Sequence, residues 1–106
     1  MQEPKLIECL PEFSKELEHL LQKEGRPDLI PQLSTLRIFD RCRCGDDFCA
    51  TIYTACKSDR EYGISDTIPL HPDQGFVILD LRDRRITGIE ILYRDEIRKE
   101  VLGLLG

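Results

Sequence analysis

Four of the five cysteines in this 106-residue chain stand between residues 42 and 56, in the order Cys42-x-Cys44-x4-Cys49-x6-Cys56. Thiolates are soft metal ligands and good nucleophiles, so such a cluster can hold zinc or do redox chemistry. Un-ionised, the same side chains are small hydrophobes that fill a core. Zinc-binding cysteines usually come as C-x2–4-C pairs from tight turns, a spacing this chain does not follow. In an extended strand, residues i and i+2 are about 6.6–6.8 Å apart. Two thiolates each ~2.3 Å from one zinc can be no more than about 4.6 Å apart. Cys42 and Cys44 can therefore share an ion only where the strand breaks near Arg43.

His71, in the loop segment LHPD, could join the sulfurs as a ligand or act as a base beside a thiol. His19, mid-helix between Lys15 and Lys23, is expected to face solvent. The candidate metal set is thus Cys42, Cys44, Cys49, Cys56 and His71, with zinc as the candidate cofactor. Arg41 and Arg43 would lower a neighbouring thiol pKa while Asp46 and Asp47 would raise it. The signs compete, and no activated nucleophile follows.

These side chains depend on two flanking segments, 35–43 and 48–56, which read as strands around Gly45, Asp46 and Asp47. A three-residue loop, 45–47, puts Leu36, Ile38, Cys42, Cys44, Phe48, Ala50, Ile52 and Cys56 on one face, with the arginines and Cys49 on the other. That register gives the cleaner apolar-in, polar-out split. A two-residue loop, 45–46, sets Cys42 directly across from Cys49 and mixes the faces. Three residues predict a sulfur-rich core hairpin; two reopen a site. On the first strand Arg37, Arg41 and Arg43 alternate, with Tyr53 opposite, as a candidate surface for an anion, a ligand or a partner. An ordinary solvated face, with arginine stems covering apolar surface, has the same pattern.

The remaining elements follow from periodicity. Leu10, Phe13, Leu17, Leu20 and Leu21 mark one face of a helix over 11–24, with Pro11 in its first turn and Gly25 beyond its end. A helical turn follows in PDLIPQL. Residues 57–74 carry few apolar side chains and predict either a functional loop or a short strand hidden near 67–70. GFVILDL and ITGIEILY form a second hairpin across Asp83 and Arg84, with Leu81 facing Ile86, Ile78 facing Ile89 and Phe76 facing Ile91. Both faces are apolar enough for central strands. A last helix spans 95–105, with Ile97, Val101, Leu104 and Leu105 as its buried stripe. The expected fold is one α+β domain over 1–106. Its antiparallel sheet has about four strands from two hairpins, and the N-terminal and C-terminal helices pack on one face.

The segment VILDLRDRRITGIEIL resembles the hairpin of a group of small bacterial domains, in which hydrophobic–Asp–hydrophobic, a charged turn and G-I-E-I-L recur. The resemblance covers residues 76–94. It implies a bacterial origin and a stable ββα unit, and carries no activity.

Composition narrows the function. A formal net charge of −5 disfavours nucleic acid and anionic membranes, and no stretch approaches the ~20 apolar residues of a membrane span. An odd number of cysteines without a signal peptide points to the cytoplasm. No phosphate loop, H-E-x-x-H, G-x-S-x-G or calcium-loop pattern is present, so nothing specific supports an enzyme. The expectation is a small soluble bacterial binding or regulatory module that meets a protein partner or itself. The alternative is a metal-dependent or thiol-dependent site on the 42–56 hairpin.

Overall fold

The computed structural model describes residues 3–106. A single helical turn, α1 (Leu6–Cys9), leads into the amphipathic helix α2 (Pro11–Lys23), and a 3-10 turn (Pro27–Leu29) runs into α3 (Ile30–Leu33). Two very short strands follow, β1 (Asp40–Arg41) and β2 (Ile52–Tyr53), then α4 (Lys57–Arg60). Three longer strands, β3 (Asp66–Leu70), β4 (Phe76–Arg82) and β5 (Arg85–Leu92), precede the last helix, α5 (Asp95–Leu105). The strands form one antiparallel sheet of five, in the order β1-β2-β5-β4-β3.

Five strands replace the expected four because the 57–74 segment holds a true edge strand. Ile68 and Leu70 alternate inward opposite Leu79 and Val77, and Pro69, which cannot donate to a ladder, is tolerated at the edge. The β4–β5 hairpin turns on Asp83 (φ 49°) and Arg84 (φ 69°), both left-handed as a tight hairpin turn requires. Gln32 pins this turn to α3: its side-chain amide donates to Arg84 O at 2.6 Å and accepts from Ile86 N–H at 2.9 Å.

The hairpin register departs from expectation beyond its first pairs. Leu81 does face Ile86, but a bulge at Asp80/Leu81 leaves Thr87 as the extra residue. From there Leu79 faces Ile89, Ile78 faces Glu90, Val77 faces Ile91 and Phe76 faces Leu92. The shift puts Val77, Leu79, Leu81, Ile86, Ile89 and Ile91 on one buried face, all at most 3% exposed. These side chains join Leu17 and Leu21 of α2, Leu33 of α3, and Ile97 and Val101 of α5 in one hydrophobic cluster. Leu104, expected in the α5 stripe, is instead exposed, and Leu105 is half-buried against the core. No described helix is long and apolar enough to cross a membrane.

Candidate metal centre

The cysteine segment is neither of the two hairpins that its sequence allows. Asp40 pairs with Tyr53 and Arg41 with Ile52, and Cys42 N–H still reaches Thr51 O at 2.9 Å. Pairing then stops, and residues 43–50 leave the ladder. Two sets of contacts account for the break. Arg41 donates to Gly106 O at 2.8 Å, and Arg43 reaches Gly106 O and Leu105 O at 3.4 and 3.5 Å, so both guanidinium groups sit on the carbonyls that end α5. A helix C-terminus is a favourable place for cations. On the other side, residues 48–50 are taken over by the end of β5. Ala50 N–H donates to Ile91 O at 2.8 Å, Tyr93 N–H donates to Phe48 O at 2.9 Å, and Cys49 bridges to Leu92. Phe48 stacks on Tyr93 with ring centroids 5.0 Å apart.

The intervening turn closes through Cys49 N–H to Asp46 O at 3.2 Å, and Gly45 takes a left-handed conformation (φ 84°) that suits glycine. The strand therefore breaks near Arg43, the condition for Cys42 and Cys44 to meet. The sulfurs of Cys42, Cys44 and Cys49 all lie within 4.8 Å of one another. Cys44 is exposed and the other two are half-buried. In a tetrahedral zinc site with Zn–S of ~2.3 Å two thiolates stand roughly 3.8 Å apart, so three sulfurs gathered this closely can become a three-sulfur site by local adjustment of the turn.

The other sequence candidates lie elsewhere. Cys56 occupies the N-cap position of α4 without a side-chain cap bond, its sulfur 3.2 Å from Ser58 Oγ, and His71 Nε2 sits 3.6 Å from Glu24 Oε1 beyond the end of α2. Cys9 packs against the hydrophobic core. The four surface candidates do not converge on one open face. Arg37 donates to Glu3 O at 2.7 Å, Arg41 and Arg43 serve the end of α5, with Arg43 also on Asp40 at 3.1 Å, and the Tyr53 ring lies 4.0 Å beneath the Arg60 guanidinium.

Cys49 and Cys44 differ in acidity. Burial raises Cys49, but hydrogen bonds from Thr51 and from the Cys44 and Cys42 thiols outweigh it and leave its pKa below the ordinary value. Cys49 Sγ donates to Thr51 Oγ1 at 3.4 Å, an oxygen that also accepts from Ile91 N–H at 3.2 Å; on ionisation of Cys49 the Thr51 hydroxyl and backbone N–H favour the thiolate. The Asp46 N–H favours a Cys44 thiolate. The Cys42 and Cys49 sulfurs outweigh it and push Cys44 up to about 11. Cys49 is thus the first of the pair to ionise and Cys44 the last.

A cleft of about 180 Å³ opens beside the sulfurs, with Arg41 and Arg98 on its walls together with Cys42, Asp46 and Cys49. Cationic walls favour thiolates. Comparison with known protein families, with curated proteins and with solved structures finds no match. Arg98 and Thr51 were not legible as site residues: Arg98 arrives from α5, and Thr51 acts through a hydroxyl that the strand pattern alone does not aim.

Proposed function

We propose that this protein binds a single thiophilic metal ion, zinc in the first place, through Cys42, Cys44 and Cys49, and that it serves as a small binding or regulatory module. The observation that carries the reading is the mutual approach of three sulfurs in a segment that leaves the sheet to bring them together. Thiolates select zinc and copper(I) over hard cations. Three protein ligands leave a fourth position for water or for a donor from a partner, the pattern of an open site rather than a closed structural one.

The ion would replace the thiol protons and tie the 42–49 turn to the β1 end and to the end of β5. Those are the elements a loop-borne recognition surface would need held. Native mass spectrometry of the purified protein with zinc tests this. One equivalent is expected in the parent and in Cys9→Ser and Cys56→Ser. Cys42→Ser, Cys44→Ser and Cys49→Ser should each weaken binding by more than the 10–100-fold typical of losing a supporting neighbour.

A second reading, thiol exchange, is favoured by the lowered pKa of Cys49 beside Cys44. Rapid alkylation at Cys49 near neutral pH, in protein that takes up no zinc, would favour it over the metal site.

A further inference from the structure

On the sheet side away from the hydrophobic cluster, a second pocket of about 240 Å³ lies between the strands and the segment after α4, lined by Tyr53, Arg60, Ile64, Asp80, Thr87 and Gly88. Asp80 is only 6% exposed, yet its Oδ1 has no hydrogen-bond partner. Buried polar atoms are partnered in the great majority of cases, so an orphaned carboxylate oxygen calls for an explanation. The bulge at Asp80/Leu81 is a device that re-aims side chains, and Gly88 opposite keeps the space above Asp80 clear.

Arg60 faces the same pocket. Its Nε donates to Ala55 O at 3.2 Å and its guanidinium rests 4.0 Å over the Tyr53 ring, but among the described residues it makes no ion pair. A buried acid and an unpaired base thus line one small cavity without touching each other. Glu90, two positions beyond Gly88 on β5, adds negative charge on the Asp80 side and is its side-chain hydrogen-bond neighbour, leaving Oδ1 as the unpartnered oxygen.

We propose that this pocket binds a small zwitterion of the amino-acid type, with its ammonium on Asp80 and its carboxylate on Arg60. A dipolar ligand supplies a donor to Asp80 Oδ1 and an anion to Arg60 at once, and the pocket volume suits a molecule of that size. A simple cation would leave Arg60 unpaired, and a simple anion would face Asp80 and Glu90.

The test is a thermal-shift and saturation-transfer NMR screen of the individual free amino acids at up to roughly 10 mM, since a ligand of the folded state raises its melting temperature by mass action. At least one should bind saturably. Its matched amine, lacking the carboxylate, and its matched acid, lacking the ammonium, should bind at least about tenfold more weakly. Asp80→Asn should abolish binding. Gly88→Ala provides an independent block: its added Cβ would meet Asp80 Oδ2 at 3.4 Å and Tyr53 Cδ1 at 3.6 Å, ordinary contacts that the fold accommodates while the pocket fills. No saturable binding, binding that survives both substitutions, or binding only at the top concentration would overturn the proposal. In that case Asp80 is simply protonated and donates to Glu90.

Discussion

The hydroxyl of Thr51 lies 3.4 Å from the sulfur of Cys49, with the Ile91 N–H occupying one of its lone pairs. The Cys49 thiol donates in this contact, and on its ionisation the Thr51 hydroxyl becomes the group that favours the thiolate. Thr51→Val keeps the shape and removes the donor. Alkylation of Cys49 should slow at pH 7 as its pKa rises, and zinc affinity should fall by about 10–100-fold. The orphaned Ile91 N–H should lower stability by ~1–3 kcal/mol in a urea melt. An unchanged alkylation rate would remove Thr51 from the site.

Zinc binding should depend steeply on pH. Cys44, at about 11, carries its proton throughout the neutral range, and an incoming ion must displace it. Apparent zinc affinity should therefore rise at least about tenfold per pH unit from 6 to 8, read by competition with a chelator of known pH dependence. A flat profile would mean that Cys44 is not a ligand.

Asp80 should make the fold less stable as pH rises. Burial, and then Glu90 beside it, push this carboxyl up to about 7, against about 3.9 in an unfolded chain. Between those values the folded protein holds a proton that the unfolded chain has released, so the contribution is present at pH 4 and lost on passing 7. Asp80→Asn should gain of the order of 2 kcal/mol on the parent at pH 8 relative to pH 4. Equal differences at the two pH values would contradict it.

Arg94 joins three parts of the chain. It clamps Glu16 of α2 through two bonds of 2.7 and 2.8 Å, meets Glu96 of α5 at 2.9 Å, and reaches Gln74 O at 3.4 Å. Its side chain is 10% exposed, and these partners raise its already high pKa further, Glu16 foremost. Arg94→Met should cost about 2 kcal/mol, below the full penalty for breaking a buried pair because Glu16 stays partly solvated. Zinc stoichiometry should be unchanged, which separates this structural clamp from the sulfur site.

Much of the fold is legible where a period is local. The α2 stripe from Leu10 to Leu21 and the Asp83–Arg84 turn both read directly, because each depends on residues within one or two turns of chain. The bulge left a trace that strict pairing overlooked: apolar positions run 77, 79, 81 in β4 but 86, 89, 91 in β5, so the spacing of two is broken once, at Thr87. The sulfur site was half-legible. Strand geometry gave the condition for Cys42 and Cys44 to meet, while the cause of the break lies in distant partners, the carbonyls ending α5 and the backbone of residues 91–93. The Asp80 pocket left no local signal, because Tyr53, Arg60 and Asp80 come together only when the sheet forms.

X-ray absorption at the zinc edge of the loaded protein tests the central claim most directly. Three sulfurs at ~2.3 Å and one lighter donor at about 2.0 Å are expected. A shell of nitrogen and oxygen alone, or one sulfur with the rest light atoms, would contradict a centre built on Cys42, Cys44 and Cys49.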